Sequence, residues 1–110
     1  MDASTHVVIQ PQIDRLVAMG LPIHGPLACG EEIADHTHKV PGAYVACGAV
    51  KFHCNDVVET LGTTDESFNA VLVPSGTVHG WEALEDEVRI VQIHGEALIR
   101  ATLPELAAAL

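Results

Sequence analysis

Short apolar segments separated by turn residues make up most of this chain and limit what it can fold into. Prolines and glycines lie between the segments, and strands this short and this regularly spaced are typical of an antiparallel sandwich or barrel. We therefore predict an all-β fold. The predicted strands include His6–Ile9, Tyr44–Cys54 with a bend or bulge at Gly48, Phe68–Val73, Thr77–Ala83 and Val88–His94.

Helical patterns are few. Arg15–Met19 fits either a strand or a helix, and Leu21–Cys29 is an irregular or edge strand at best because it carries two prolines and a glycine. The C-terminal segment predicts a short helix over about residues 102–109, in which Thr102 is a candidate N-cap and Glu105 completes a capping box.

The length and charge of the chain restrict its class. At 110 residues it is predicted to form one domain, residues 1–110, whose core covers about residues 20–96. Its net charge of −10 would repel nucleic acid and anionic membrane surfaces, so neither is an expected partner. The N-terminus lacks the pattern of a signal peptide, and no segment approaches the roughly 20 apolar residues of a membrane span. We therefore expect a cytoplasmic protein.

The cysteines give no sign of a cross-link or a zinc site. Cys29, Cys47 and Cys54 are an odd number and include no CxxC pair. This spacing indicates neither a disulfide framework nor a cysteine-based metal site. We expect all three side chains to be small buried hydrophobic groups.

Seven histidines are more than an average chain of 110 residues contains. His36 and His38 lie one residue apart within Glu31–His38, and on a strand their side chains leave one face with about 6.8 Å between the Cα atoms. Two imidazoles at that spacing can bind one metal ion, whereas on a helix they would point to nearly opposite sides. The pair alone is weak evidence, because such a pattern often arises by chance.

A second motif strengthens the metal hypothesis. Residues 73–81 contain P-x-G-x-x-H, in which a tight turn precedes His79 and so fixes the direction of that side chain. Two histidines on one strand and one on another form a facial set of nitrogen ligands with open positions. An open site is what a catalytic metal needs, because substrate must reach the ion.

The two motifs together resemble the signature of the cupins, G-x5-H-x-H-x3,4-E-x6-G followed by G-x5-P-x-G-x2-H-x3-N. The resemblance covers residues 30 to 83. It implies a double-stranded β-helix, a jelly-roll barrel that is commonly dimeric, with a divalent metal in the barrel mouth. It also implies that His36, His38 and His79 are metal ligands. The matching residues are Gly30, His36, His38, Gly48, Pro74, Gly76 and His79.

The chain departs from the cupin pattern at the acidic ligand. Counting from Gly48 or from His38 places the expected glutamate at Pro41 or Ala43, and neither these nor the intervening Gly42 is an acid. The second motif lacks its first glycine and its asparagine. The expected result is a three-histidine centre whose remaining positions belong to water or substrate.

Further side chains are candidates for the same site. Alternation along Val88–His94 places Gln92 and His94 on one face, where either could handle a proton, orient substrate or supply a fourth ligand. Trp81 follows His79 by two residues and either walls the substrate cavity or packs in the core. His6, His24 and His53 have no partner pattern and are expected to be surface or structural residues.

We expect a small metalloenzyme that acts on a small organic ligand and forms a homodimer. With Fe(II) the site would suit dioxygenase-like chemistry, and with Zn, Mn or Ni it would suit a Lewis-acid isomerase or lyase. Two alternatives remain at this point. One is a metal- or small-molecule-binding sensor without turnover, and the other is a cupin barrel whose histidines no longer bind metal.

Overall fold

Two antiparallel β-sheets pack face to face in the computed structural model, which describes residues 5–62 and 67–110. The larger sheet has the strand order β1-β7-β4-β9-β2 and the smaller one β3-β8-β5-β6. The predicted all-β architecture is therefore confirmed. The strands are β1 Thr5–Ile9, β2 Ile23–Leu27, β3 Glu32–His36, β4 Gly42–Cys47, β5 Val50–Cys54, β6 Val57–Leu61, β7 Ser67–Val73, β8 His79–Ala83 and β9 Val88–His94, and the helices are α1 Gln10–Ala18, α2 Glu96–Thr102 and α3 Pro104–Ala107.

The central strands of the five-stranded sheet are buried on both faces. Along β4, Tyr44 and Ala46 face the space between the two sheets, whereas Ala43 and Val45 face the helices. Because both faces are covered, the strand reads as a continuous apolar run rather than an alternating one. The same division holds in β9, where Ile90 belongs to the inter-sheet core and Val91 and Ile93 to the helix-side core.

Gly48 moves the chain from one sheet to the other. The predicted segment Tyr44–Cys54 is two strands, since β4 ends at Cys47 in the larger sheet and β5 begins at Val50 in the smaller one. Gly48 has a φ of +120°, which glycine adopts readily and other residues rarely do. The predicted bend is therefore a sheet-to-sheet crossing.

The C-terminal helix begins earlier than the sequence predicts and is broken in two. In place of one helix over residues 102–109, α2 ends at Thr102 and α3 begins at Pro104. Leu103 between them has φ −134° and ψ 68°, because a residue before proline is disfavoured in the helical region. The predicted capping box is wrong, since the Thr102 hydroxyl donates instead to the Leu98 carbonyl at 2.7 Å.

At the N-terminal end, the ambiguous segment Arg15–Met19 falls largely in a helix, α1, which buries Ile13 and Leu16 against the larger sheet. β1 pairs with β7, so the sheets extend beyond the predicted core range of residues 20–96. β2 is an edge strand with an irregular register, as the sequence predicts. No helix among the described residues is long and apolar enough to cross a membrane.

The cysteines differ in exposure, and the prediction that all three are buried is wrong. Cys29 is exposed because it lies in the turn after β2, where its N–H donates to the Asp86 carboxylate at 2.9 Å. Cys47 and Cys54 are half-buried. Burial raises the pKa of the Cys47 thiol to about 11, although the nearby Arg89 lowers it.

We predict that iodoacetamide alkylates Cys29 rapidly at pH 8 and Cys47 at least about 100-fold more slowly. At that pH only about one Cys47 thiol in a thousand is ionised, and the thiolate is the reactive form. The Cys47 rate should rise as the pH approaches 11. Mass spectrometry of the labelled peptides measures both rates, and unfolding in urea should make them similar. Equal rates in the folded protein would contradict this account.

Candidate metal centre

Strand pairing brings the three predicted ligand histidines together. In the antiparallel pair of β3 and β8, His36 lies directly opposite His79, just past an irregularity in the register after Ile33. The predicted strand Glu31–His38 is shorter in the structure, so His38 lies two residues beyond the end of β3. One ring nitrogen from each histidine lies within 4.8 Å of the others.

Backbone carbonyls fix which nitrogen of two of these histidines faces the centre. The Nδ1–H of His36 donates to the Ala34 carbonyl at 2.7 Å, and the Nδ1–H of His79 donates to the Thr77 carbonyl at 2.9 Å. A carbonyl can only accept, so the proton lies on Nδ1 and each Nε2 carries a lone pair, which has no partner at His79 and faces Nε2 of His38 at His36. The Nε2 atoms of His36 and His38 are 3.0 Å apart.

His79 tests whether the group suits a metal ion. The residue is only 1% exposed, and its Nε2 has no hydrogen-bond partner among the described residues. A buried polar atom without a partner destabilises the fold by about 1–3 kcal/mol, whereas a cation bound at this lone pair would satisfy it. The group can therefore hold a metal ion, and its nitrogen donors fit a divalent transition metal.

Burial lowers the pKa of His38, His79 and His94 and so favours their neutral form, which is the form that binds a metal. Burial lowers the pKa of His38, and the neighbouring His94, His36 and His79 lower it further. Burial also lowers the pKa of His79, against the raising effect of its hydrogen bond to the Thr77 carbonyl. For His94 burial is again the main cause of a lowered pKa, followed by His24 and His36.

The Tyr44 hydroxyl lies over Gly42, in the segment where the cupin pattern predicts an acid. Ala43 faces the helices, so it points away from the centre. Gly42 faces the interior together with Tyr44, and a Cβ on Gly42 would lie only 2.6 Å from the Tyr44 hydroxyl oxygen. The absence of a side chain at Gly42 thus leaves room for the phenol.

The Tyr44 hydroxyl contacts His94. Its oxygen lies 3.0 Å from Nε2 of His94, and Gly42 is the cross-strand partner of that histidine. Burial raises the pKa of Tyr44 to about 12, so the phenol keeps its proton. The Tyr44 ring centre is 5.4 Å from that of His79, and the His94 ring centre is 4.8 Å from that of His38.

His94 therefore lies beside the three-histidine group, bonded to Tyr44, and it is not one of the clustered ligand atoms among the described residues. Gln92 is half-buried and lies opposite Tyr44 in the β4–β9 pair. Trp81 is 3% exposed and packs between Phe52 and Tyr44 in the inter-sheet core. The roles in catalysis or in a substrate cavity predicted for His94, Gln92 and Trp81 stay predictions.

The remaining histidines have different surroundings. His24 is exposed but close enough to His94 to lower its pKa, an interaction that the sequence pattern did not predict. His53 is half-buried on β5, and its Nδ1 lies 3.8 Å from the Asp35 carboxylate. The side chain of His6 lies outside the described residues.

The fold and this group together define a class, a cupin-like jelly roll with three histidines converging between paired strands. No protein-family model and no curated protein matches the chain. Among solved structures, that of KdgF from Halomonas sp. is similar, with 20% sequence identity and a TM-score of 0.50 over 86% of this chain and 82% of that one. At this identity the likeness shows the fold alone.

We predict that Gly42→Ala lowers the free energy of unfolding by about 1–3 kcal/mol, because its Cβ would displace the buried Tyr44 ring. In a Tyr44→Ala background the same substitution should have a much smaller effect, since the obstructing ring is gone. Urea unfolding of the four proteins measures this coupling. An equal effect in both backgrounds would show that the Gly42–Tyr44 contact is absent.

Proposed function

We propose that this protein is a metal-dependent cupin in which His36, His38 and His79 hold a divalent ion and leave positions for a small organic substrate. The observation that carries the proposal is the buried Nε2 of His79. It has no partner among the described residues, and the Thr77 carbonyl holds its ring with the lone pair available. Nε2 of His53 is also buried without a partner among the described residues, but only at His79 does such a nitrogen belong to a residue whose ligand atom lies within 4.8 Å of those of two other histidines.

The ligand set supports an open, catalytic type of site. Three protein ligands leave positions for water or substrate, whereas structural sites are usually closed by four. A redox-active ion such as Fe would supply oxygen chemistry there, and Zn, Mn or Ni would polarise a carbonyl or stabilise developing negative charge. This chain's contribution is to orient His36 and His79 through the Ala34 and Thr77 carbonyls and, by burial, to favour the neutral form of His38 and His79.

The neighbouring residues support a role in substrate handling. Tyr44 and His94 form a hydrogen-bonded pair at the edge of the three-histidine group, and Gln92 lies opposite Tyr44. We propose that Tyr44, His94 and Gln92 contact the substrate. Trp81 acts indirectly, by packing against the Tyr44 ring. The homodimer and the small-molecule partner remain predictions.

The metal site is tested by removing one ligand. We predict that the purified protein binds one divalent ion per chain, and that His79→Ala weakens Co²⁺ or Zn²⁺ binding at least about 100-fold, because one of three ligands is lost. Competition with a chromogenic chelator measures the affinity, and elemental analysis gives the stoichiometry.

His53→Ala is the matched control, because it removes a half-buried strand histidine that is outside the cluster. Circular dichroism confirms that each variant is folded. Wild-type affinity in His79→Ala, or an equal loss in His53→Ala, would refute the ligand assignment.

The reaction type is tested on the loaded protein. Oxygen uptake by the Fe(II) form with diols, thiols or β-diketones would establish the dioxygenase class. Turnover of carbonyl substrates by the Zn, Mn or Ni form without oxygen uptake would establish the Lewis-acid class. Tight metal binding with no turnover in either assay would favour the binding or sensor alternative.

A further inference from the structure

The charge of the three-histidine centre is unusual for a site that binds a divalent ion. The clustered donor atoms among the described residues are all histidine nitrogens, which are neutral when they bind a metal. A carboxylate in the same set would offset part of the ionic charge. Here the full double positive charge would remain on the centre.

The nearest acid in sequence acts on His79 only through its charge and is not one of the clustered donors. Asp35 precedes His36, but its carboxylate packs across Gly80, where an added Cβ would collide with it. Gly80 alternates with His79 along β8, so this contact is on the outer face of the smaller sheet. There Asp35 lies 3.8 Å from Nδ1 of His53, the reverse side from the clustered lone pairs.

The Tyr44–His94 pair has a hydrogen-bond donor to spare. A neutral phenol and a neutral imidazole together carry two polar hydrogens, and the 3.0 Å contact between them uses one. Tyr44 is 2% exposed, so its hydroxyl is shielded from bulk water. If Nε2–H of His94 is the donor in that contact, the spare hydrogen is that of the Tyr44 hydroxyl, and if the hydroxyl is the donor, the spare hydrogen is on Nδ1 of His94.

We propose that the centre takes an anionic oxygen-donor ligand, of the carboxylate or enolate class, and that the Tyr44–His94 pair donates a hydrogen bond to it. This inference rests on the proposed metal site. Anionic oxygen balances a charge that no clustered protein ligand offsets, and charge-assisted hydrogen bonds are about twice as strong as neutral ones. Gly42 is essential to the arrangement, because any side chain there would occupy the phenol's position.

One competing source of anion binding is Lys39. It is exposed and directly follows His38, so it could attract an anion to the surface without any role for Tyr44. An experiment must separate a surface cation from the buried pair. Lys39→Gln and Tyr44→Phe do so, because each removes one group and leaves the three histidines unchanged.

The probes are malonate, a dianionic oxygen donor, and malonamide, its neutral counterpart of similar size. Each is titrated into the Co²⁺-loaded protein, and the visible absorption of the bound cobalt reports binding, while equilibrium dialysis confirms that cobalt stays on the protein. We expect malonate to bind at least about tenfold more tightly than malonamide. Tyr44→Phe should weaken malonate binding about threefold to tenfold, the equivalent of one hydrogen bond.

The cobalt affinity of Tyr44→Phe should stay within about twofold of the wild type, and Lys39→Gln should leave malonate binding unchanged within the same margin. Equal binding of malonate and malonamide would overturn the ligand class while leaving the proposed metal site intact. A loss in Lys39→Gln that Tyr44→Phe does not share would overturn the role of the pair. A wild-type protein that binds no cobalt would overturn the proposed function and this inference together.

Discussion

The antiparallel pairing of β3 with β8 is the constraint on which the candidate site depends. It places His36 directly opposite His79, and cross-strand neighbours on one face lie close enough for their side chains to meet. Gly80 permits the close approach, since the Asp35 carboxylate occupies the space of its absent side chain. A shift of the register by one residue would turn His79 to the outer face and separate its ring from those of His36 and His38.

The alternation of side chains along β8 and β4 places the site next to the inter-sheet core. Along β8, His79 is followed by Trp81 and then Ala83 on the inner face, and both of these belong to the inter-sheet core. Along β4, Gly42 is followed by Tyr44 and Ala46 on that face. The strands that hold the apolar core at one end therefore hold the polar group at the other. Packing of Trp81 against Tyr44, with ring centres 5.9 Å apart, connects the two.

Much of this arrangement follows from local sequence patterns. The H-x-H pair and the P-x-G-x-x-H turn select three histidines that the structure brings together. Strand geometry fixes the direction of His36 and the tight turn that of His79, whereas His38 lies beyond the end of β3. Alternation in Val88–His94 likewise places Ile90 in the inter-sheet core, with Val91 on the other face. The fold class follows from the spacing of strands and turns.

What the sequence does not predict depends on contacts between distant segments. The Tyr44–His94 bond joins residues 50 positions apart and requires both the β4–β9 register and the empty space at Gly42. The effect of His24 on His94 likewise needs β2 to pair with β9. The break at Leu103, by contrast, follows from a local rule, because a residue before proline seldom continues a helix.

The segment in which the cupin pattern would place an acid contains Pro41, Gly42 and Ala43, and this has a consequence for the charge of the proposed centre. A carboxylate in the ligand set would lower the charge of the centre and take one of its positions. Without such a carboxylate, the proposed centre would keep an open position and a higher charge, and the Tyr44 phenol would lie nearby, over Gly42. Each of these three consequences favours an oxygen anion as the ligand that completes the site. The anion would supply negative charge, fill the open position and accept a hydrogen bond from the Tyr44–His94 pair. The ligand would therefore take over the role that an acidic side chain has in the cupin pattern.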